Sequence, residues 1–421
     1  MAAKNRFALP VVLITSLFFL WGFAHNLNPI LIPHLKKACQ LSDFQSAFVD
    51  AAFFIAYFTM ALPAGYCMKR FGYKAGIVFG LLLFAFGALL FYPAADTRNY
   101  IFFLIALFVI ASGLTFLETA ANPYIAALGP AGTATQRLNF AQSFNGLAAT
   151  LAPFIGGTFI LSGKSLTPAA LKALTASELD TYLQTEANAV KGPYLLIGAF
   201  VLIVAWLVNK TNLPKIDDAA TESDDTTARY PLFTNANFVF GVIALFFYVG
   251  AQVGVVSFFI RFSGEVANIA EKAAAGFLSI ALLGFMAGRF LGALLMRFLA
   301  PGKLLLLFAV SNVLLTLTAA TVSGHLAVYA VIGVTFLMSI MFPTIFSLAI
   351  TGLGSKTKQA SSVLIMAIVG GAILPLMMGL VSDRFSIQLA YLVPAGCFFI
   401  VFAFAFQYVR RMKKAVYRSG L

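Results

Sequence analysis

The stretch YIFFLIALFVIASGLTFLETAANPYIAAL, residues 100–128, is apolar from end to end apart from small or amide-bearing residues and one carboxylate, Glu118. A helix crossing the hydrocarbon core of a bilayer needs about 20 apolar residues, and this run supplies them without interruption. A carboxylate at membrane depth is costly, so by default it marks a substrate or ion pathway. The plain alternative for Glu118 is a buried acid paired with a group on a neighbouring span.

Eleven further apolar runs flank it, giving twelve spans at approximately 8–35, 44–68, 75–94, 100–128, 137–162, 193–208, 235–260, 272–297, 303–322, 326–353, 359–383 and 388–409. With 61% hydrophobic residues and only 10% charged over 421 residues, the chain lies outside soluble composition. It reads as an all-α integral membrane protein with twelve transmembrane helices. Lys and Arg divide 18 to 9 between alternate connections, which puts both termini in the cytoplasm of a multi-pass plasma-membrane protein, for a bacterium the inner membrane. The net charge of +13 then belongs to span ends facing anionic headgroups, and no nucleic-acid partner is implied. Cys39, Cys67 and Cys397 show no ligand or pairing spacing. The first run is too long for a cleavable signal and is expected to stay as the first helix.

Residues 209–234 carry Asp217, Asp218, Glu222, Asp224 and Asp225 and read as a cytoplasmic linker between two six-helix bundles, 1–208 and 235–421. The polar stretch 163–192 reads as an external cap with a helix-prone segment, Pro168 to Val190. Landmarks recur in order along the two halves: Gly65, Lys69, Arg70 and Phe71 against Gly292, Met296, Arg297 and Phe298, then Pro123 against Pro343 and Pro153 against Pro375. Such repeats, usually inverted, are how transporters are built, with the binding site where they meet. Two bundles, the link and the Gly65-x-x-x-x-Arg70 turn resemble the major facilitator superfamily. Lys69 stands where that superfamily's turn has an Asp, which removes its usual gating charge pair.

The polar residues inside spans are the candidate site. Asn26 and Asn28 flank a break prepared by Pro29, and His25 precedes them; each either faces a ligand or satisfies a core hydrogen bond. Glu118 and Asn122 lie four apart on one helical face, and Asn139, Gln142 and Asn145 follow on the next span. Amides give and accept hydrogen bonds together, which suits a polyhydroxylated ligand. Asp50 is the second intramembrane acid. Tyr248 and Gln252, four apart on span 7, offer a stacking face beside an amide, although an aromatic there is more often packing. Arg289 and Arg297 read as headgroup contacts or as a clamp on the cytoplasmic gate.

Phe18-Phe-Leu-Trp21, Asn26-Leu-Asn28, Pro63-Ala-Gly65, Leu117-Glu-Thr-Ala-Ala-Asn-Pro123, Arg137-Leu-Asn-x-Ala-Gln142, Tyr248-Val-Gly-Ala-Gln252, Gly288-Arg-Phe290, Pro343-Thr-Ile-Phe-Ser-Leu348 and Gly379-x-Val-Ser-Asp383 together resemble the fucose permease branch of that superfamily. Its members carry L-fucose, glucose, galactose or related sugars with a coupling cation. The resemblance implies that Glu118 takes part in proton coupling and sugar binding, and that Asn26, Asn122 and Gln142 are cavity amides. One departure matters: Pro29 stands where the fucose permease has an Asp that exchanges the proton. Asp50 is the expected replacement, with sodium as the alternative ion there. His25, where the family has Asn, points to a sugar other than L-fucose. The implied activity is a proton-coupled monosaccharide importer working by alternating access as a monomer, without a cofactor. The alternatives are a sodium-coupled hexose or amino-sugar symporter, an exporter of amphipathic compounds, and a non-transporting sensor. A membrane enzyme is disfavoured because no nucleophile-base set appears.

Overall fold

The computed structural model describes residues 8–41, 45, 48–160, 174–214 and 232–419, and among these every regular element is a helix. Where they are described, the twelve predicted spans fall mainly on helix: α1 Ala8–His25, α2 Asn28–Ala38, α3 Phe48–Asp96, α4 Tyr100–Ala127, α5 Ala134–Ile160, α6 Ala176–Asn188, α7 Lys191–Lys210, α8 Ala236–Ala267, α9 Glu271–Leu295, α10 Pro301–Thr321, α11 His325–Leu337, α12 Met341–Ile350, α13 Thr357–Met366, α14 Gly370–Arg384, α15 Ile387–Ala390 and α16 Leu392–Ser419. By length and composition nine helices among the described residues are able to cross a membrane, counting elements that run on into one another as one. Most of the predicted linker, 215–231, the last two residues of the predicted span 137–162, and residues 163–173 of the predicted external stretch lie outside the described residues.

The chain divides into two compact units, Met1–Ala121 with Leu147–Pro214, and Asn122–Gly146 with Lys215–Leu421. The division passes through α4 and α5, so the hairpin between them groups with the later helices rather than with the first predicted bundle.

In the first unit, predicted spans 2 and 3 are one element bent at Gly72, whose φ of 85° and ψ of 171° fall in a region essentially reserved for glycine. The second limb of α3 meets α4 through small residues. A Cβ on Gly80 would stand 2.8 Å from the Gly113 carbonyl, and one on Gly113 would stand 2.5 Å from the Gly80 carbonyl. Without a hydrophobic drive between helices in lipid, such close backbone approach is what association rests on. α7 packs along α3, where Phe91 and Tyr194 stack at 3.7 Å. Thr175 and Glu178 form a capping box that starts α6. This helix docks by charge, with Lys37 on Glu186 at 2.7 Å and Arg98 on Asp180 at 2.9 Å, and Lys191 at the start of α7 pairs separately with Asp96 of α3.

In the second unit α8 is central and packs on α11, α12, α14 and α16. A Cβ on Gly370 would lie 2.0 Å from the Phe246 carbonyl. Predicted spans 10 and 11 are each interrupted by a 3-10 turn, Met338–Ile340 and Ala367–Val369. At the first of these, Pro343 has no N–H to offer the Ser339 carbonyl four residues back, so that oxygen is left for another donor.

Candidate functional site

The break anticipated at Pro29 is present. α1 ends at His25, and α2 begins at Asn28 with its proline in the first turn, where a missing N–H costs nothing. Asn26 spends its amide donor on its own helix, Nδ2 donating to the Gly22 carbonyl at 2.7 Å. Asn28 is buried and donates Nδ2 to Asp50 Oδ1 at 3.3 Å. His25 and Asp50 are both exposed, and His25 packs edge-on against Phe53 with ring centroids 5.6 Å apart.

Glu118 is 7% exposed in the interior of α4. The Tyr57 hydroxyl of α3 is hydrogen bonded to its carboxylate, a partner the sequence reading did not find. Tyr57 lies in the apolar stretch after Asp50, and only the packing of α3 on α4 brings it to Glu118.

One turn further along α4, Asn122 belongs to the second unit and is fully buried. Arg137 fixes the turn that follows by donating to the Ile125, Ala126 and Pro130 carbonyls. Capping the exposed carbonyls of α4 with a cation satisfies them and complements the helix dipole. It also sets the register of α5 against α4, so that Gln142 donates Nε2 to Asn122 Oδ1 at 3.2 Å. Asn122 Nδ2 has no partner among the described residues. It is a donor held ready for an acceptor such as a hydroxyl oxygen.

Arg289 of α9, read from the sequence as a headgroup contact or a gate clamp, is 4% exposed. Burial excludes the headgroup reading. Nη1 donates to the Gln142 carbonyl at 2.7 Å and to Asn145 Oδ1 at 3.2 Å, while Nε donates to the Ser339 carbonyl at 3.2 Å. The last acceptor is the one Pro343 leaves free. The guanidinium also lies 4.6 Å from the Phe285 ring centroid. Nearby, Asn139 donates to Thr344 Oγ1 at 3.2 Å, and Thr135 and Ser347 pair at 2.8 Å.

The structure therefore joins Asn122, Gln142 and Asn145 through Arg289, and joins Asn28 with Asp50 and Glu118 with Tyr57. Tyr248 stands apart: it is fully buried and its hydroxyl donates to the Met338 carbonyl at 2.8 Å, a framework position that braces α8 against the turn before α12. Gln252, one turn on, is half-buried. Among the described residues no cluster of three or more His, Cys, Asp or Glu side chains could hold a metal ion.

Comparison with known proteins agrees with this architecture. The sequence profile of the Major Facilitator Superfamily matches residues 12–368. A glucose/galactose transporter of Brucella abortus is 42% identical over 403 residues, covering 94% of this chain and 93% of the relative. The L-fucose-proton symporter of Escherichia coli is 40% identical over 412 residues, covering 96% and 94%. Among solved structures, the major facilitator transporter FucP in an outward conformation superposes with a TM-score of 0.88 at 39% identity, covering 96% of this chain and 99% of that one.

Proposed function

Because the chain belongs to the Major Facilitator Superfamily, a family of transporters, we propose that it carries a monosaccharide inward together with a proton, by alternating access, as a single chain in a bacterial inner membrane with both termini cytoplasmic. L-fucose, glucose and galactose are the substrates to try first, as those named for its relatives. The observation that carries the proposal is Glu118, a buried acid inside an apolar helix, one turn from an amide pair, Asn122 and Gln142, with an uncommitted donor. An acid there supplies a protonation event, since the neutral form is the one a desolvated site favours, and amides there supply paired donors and acceptors for hydroxyls. Glu118, Asn122 and Gln142 are the proposed sugar contacts, with Asn26 and Gln252 as further candidates and Asp50 as the second coupling acid.

A sodium-coupled reading draws on one arrangement, the Asn28 amide beside the Asp50 carboxylate, because hard cations take oxygen ligands. Proteoliposomes loaded with the purified protein separate these readings: uptake of labelled L-fucose, galactose and glucose is followed under imposed proton or sodium gradients. Proton-driven accumulation is expected. In Glu118→Gln, which keeps the size and hydrogen-bonding of the acid without its titratable proton, accumulation should vanish while exchange of sugar for sugar continues. Undiminished accumulation in Glu118→Gln would overturn the role given to this residue.

A further inference from the structure

We infer that His25 and Asp50 form a proton-carrying pair, with His25 taking up the coupling proton and Asp50 acting as its counter-ion. The inference rests on the symport proposed above, in which Glu118 and Asp50 are the coupling acids, and adds His25 as the group that takes up a proton beside Asp50.

Three observations converge on the pair. The first is placement: α1 stops at His25, two residues of turn follow, and α2 restarts at Asn28, so the break that Pro29 permits sets the imidazole and the Asn28 amide at one corner of the first unit. Phe53, against which the His25 ring packs, is one turn from Asp50 along α3, and His25 lies within reach of the Asp50 charge. The second is orientation. Asn28, itself 4% exposed, donates to Asp50 Oδ1, which leaves Oδ2 of the carboxylate to receive a second donor.

The third is an unmet need. Asn28 Oδ1 is buried and has no hydrogen-bond partner among the described residues. An amide oxygen only accepts, and a neutral imidazole has one N–H where an imidazolium has two. Uptake of a proton by His25 therefore supplies a further donor within reach of the Asp50 charge, on the carboxylate that Asn28 holds.

Access fits as well. His25 and Asp50 are exposed, and ionisable groups inside membrane spans face water-filled cavities rather than lipid, so the pair can exchange protons with water. The proton passes from water to a ring nitrogen, and the pair goes from one net negative charge to neutral. Among the described residues of this unit, Glu118 is engaged with Tyr57, and Lys37 with Glu186 beside the buried His34.

Two measurements on the full-length protein test the pair. In proteoliposomes free of internal sugar, an internal pH-sensitive dye reports proton entry during net uptake of labelled L-fucose, galactose or glucose down its own gradient, with exchange of sugar for sugar measured in parallel. The ratio of protons entering to sugar taken up should fall at least ten-fold in His25→Gln and in Asp50→Asn. An unchanged ratio overturns the inference, and so does equal loss of exchange and proton entry, which would mark His25 as a sugar ligand. The second measurement needs no sugar. His25 is one of three histidines, so the NMR titration of labelled imidazoles resolves it, with His25→Gln giving the assignment. Its titration curve should move by about half a pH unit or more in Asp50→Asn; a curve that stays in place overturns the pairing. Failure of every sugar to exchange in the wild-type protein would instead sink the symport proposal, leaving the titration to judge the pair.

Discussion

Replacing Arg289 by Lys keeps the buried charge and removes the fork, and the structure says what that is worth. Arg289 reaches two elements at once: Nη1 serves the Gln142 carbonyl and Asn145 Oδ1 on α5, and Nε serves the Ser339 carbonyl in the turn before α12. An ammonium is a point donor and cannot span both. Keeping the α5 contacts, Lys would forfeit one hydrogen bond from a charged donor, about 1.5–3 kcal/mol, and much of the contact with Phe285, about 0.5–2 kcal/mol. The loss falls on the framework that orients Gln142, whose Oε1 also lies 3.5 Å from Nη1 and whose Nε2 binds Asn122. If the Gln142 amide no longer presents itself, a bound sugar loses one neutral hydrogen bond. At about 0.5–1.5 kcal/mol, that corresponds to a roughly 2- to 10-fold higher half-saturation concentration. Exchange of labelled sugar across proteoliposomes without any ion gradient measures this apart from coupling. An unchanged half-saturation in a folded Arg289→Lys protein would refute the claim that Arg289 positions the amides.

Two further substitutions probe the scaffold. Gly113→Ala gains about 1 kcal/mol of helix propensity but forces a Cβ to 2.5 Å from the Gly80 carbonyl and the Phe84 nitrogen, an overpacking cost of about 1–3 kcal/mol. Gly396→Ala, with nothing within 4 Å, keeps the gain alone. Thermal unfolding in detergent should therefore rank Gly113→Ala below wild type and Gly396→Ala at or above it; the reverse order would contradict the seam between α3 and α4. For the docked helix α6, Lys37→Met takes a hydrogen-bonding cation from the buried Glu186 carboxylate and should cost about 1–3 kcal/mol at pH 7. Burial opposes the Lys37 charge, but hydrogen bonds and attraction from Glu186 and Tyr182 outweigh it and hold its pKa above the usual lysine value. A raised lysine pKa means that the contribution is complete below about pH 10.4 and is lost only as pH climbs through the higher folded value. Thermal unfolding in detergent should give a gap between wild type and Lys37→Met that stays constant from pH 6 to 9; a gap that closes within that range would contradict the pairing.

The spans were legible because hydrocarbon imposes one rule on every one of them: backbone polar groups must be satisfied within the segment, so each long apolar run has to be helix. Pro29 announced its break for the same reason, and the i, i+4 spacing of Glu118 and Asn122 held because it is a property of one helix. What composition and periodicity conceal is which side chains from different helices meet. Tyr57 sits among apolar neighbours and gives no sign of facing Glu118, and nothing near Tyr248 in the sequence announces that its hydroxyl meets the Met338 carbonyl.

Arg289 shows how such a partner becomes readable once backbone accounting is added to the sequence. Prolines served there only as landmarks of a repeat, Pro123 against Pro343. Each proline inside a helix also removes the donor for the carbonyl four residues earlier, and a carbonyl without a partner in lipid costs several kcal/mol. Pro343 creates that debt at Ser339, and the remedy must be a buried donor able to reach the turn before α12. Arg289 lies on α9, whose Gly288 and Gly292 approach this turn so closely that Cβ atoms there would come within 2.5 Å of Ser339 Oγ and 2.1 Å of Ile340 Cγ2. The small residues bring the backbones together, the proline exposes the acceptor, and the arginine between the two glycines fills it. Gly288-Arg-Phe-Leu-Gly292 and Pro343 are thus one device written in two places, which predicts that Pro343→Ala, by returning a donor to Ser339, should loosen the hold of Arg289 on this turn. The Arg289 guanidinium hydrogens, buried in the parent, should then exchange faster with solvent; equal exchange in the two proteins would break the link between proline and arginine.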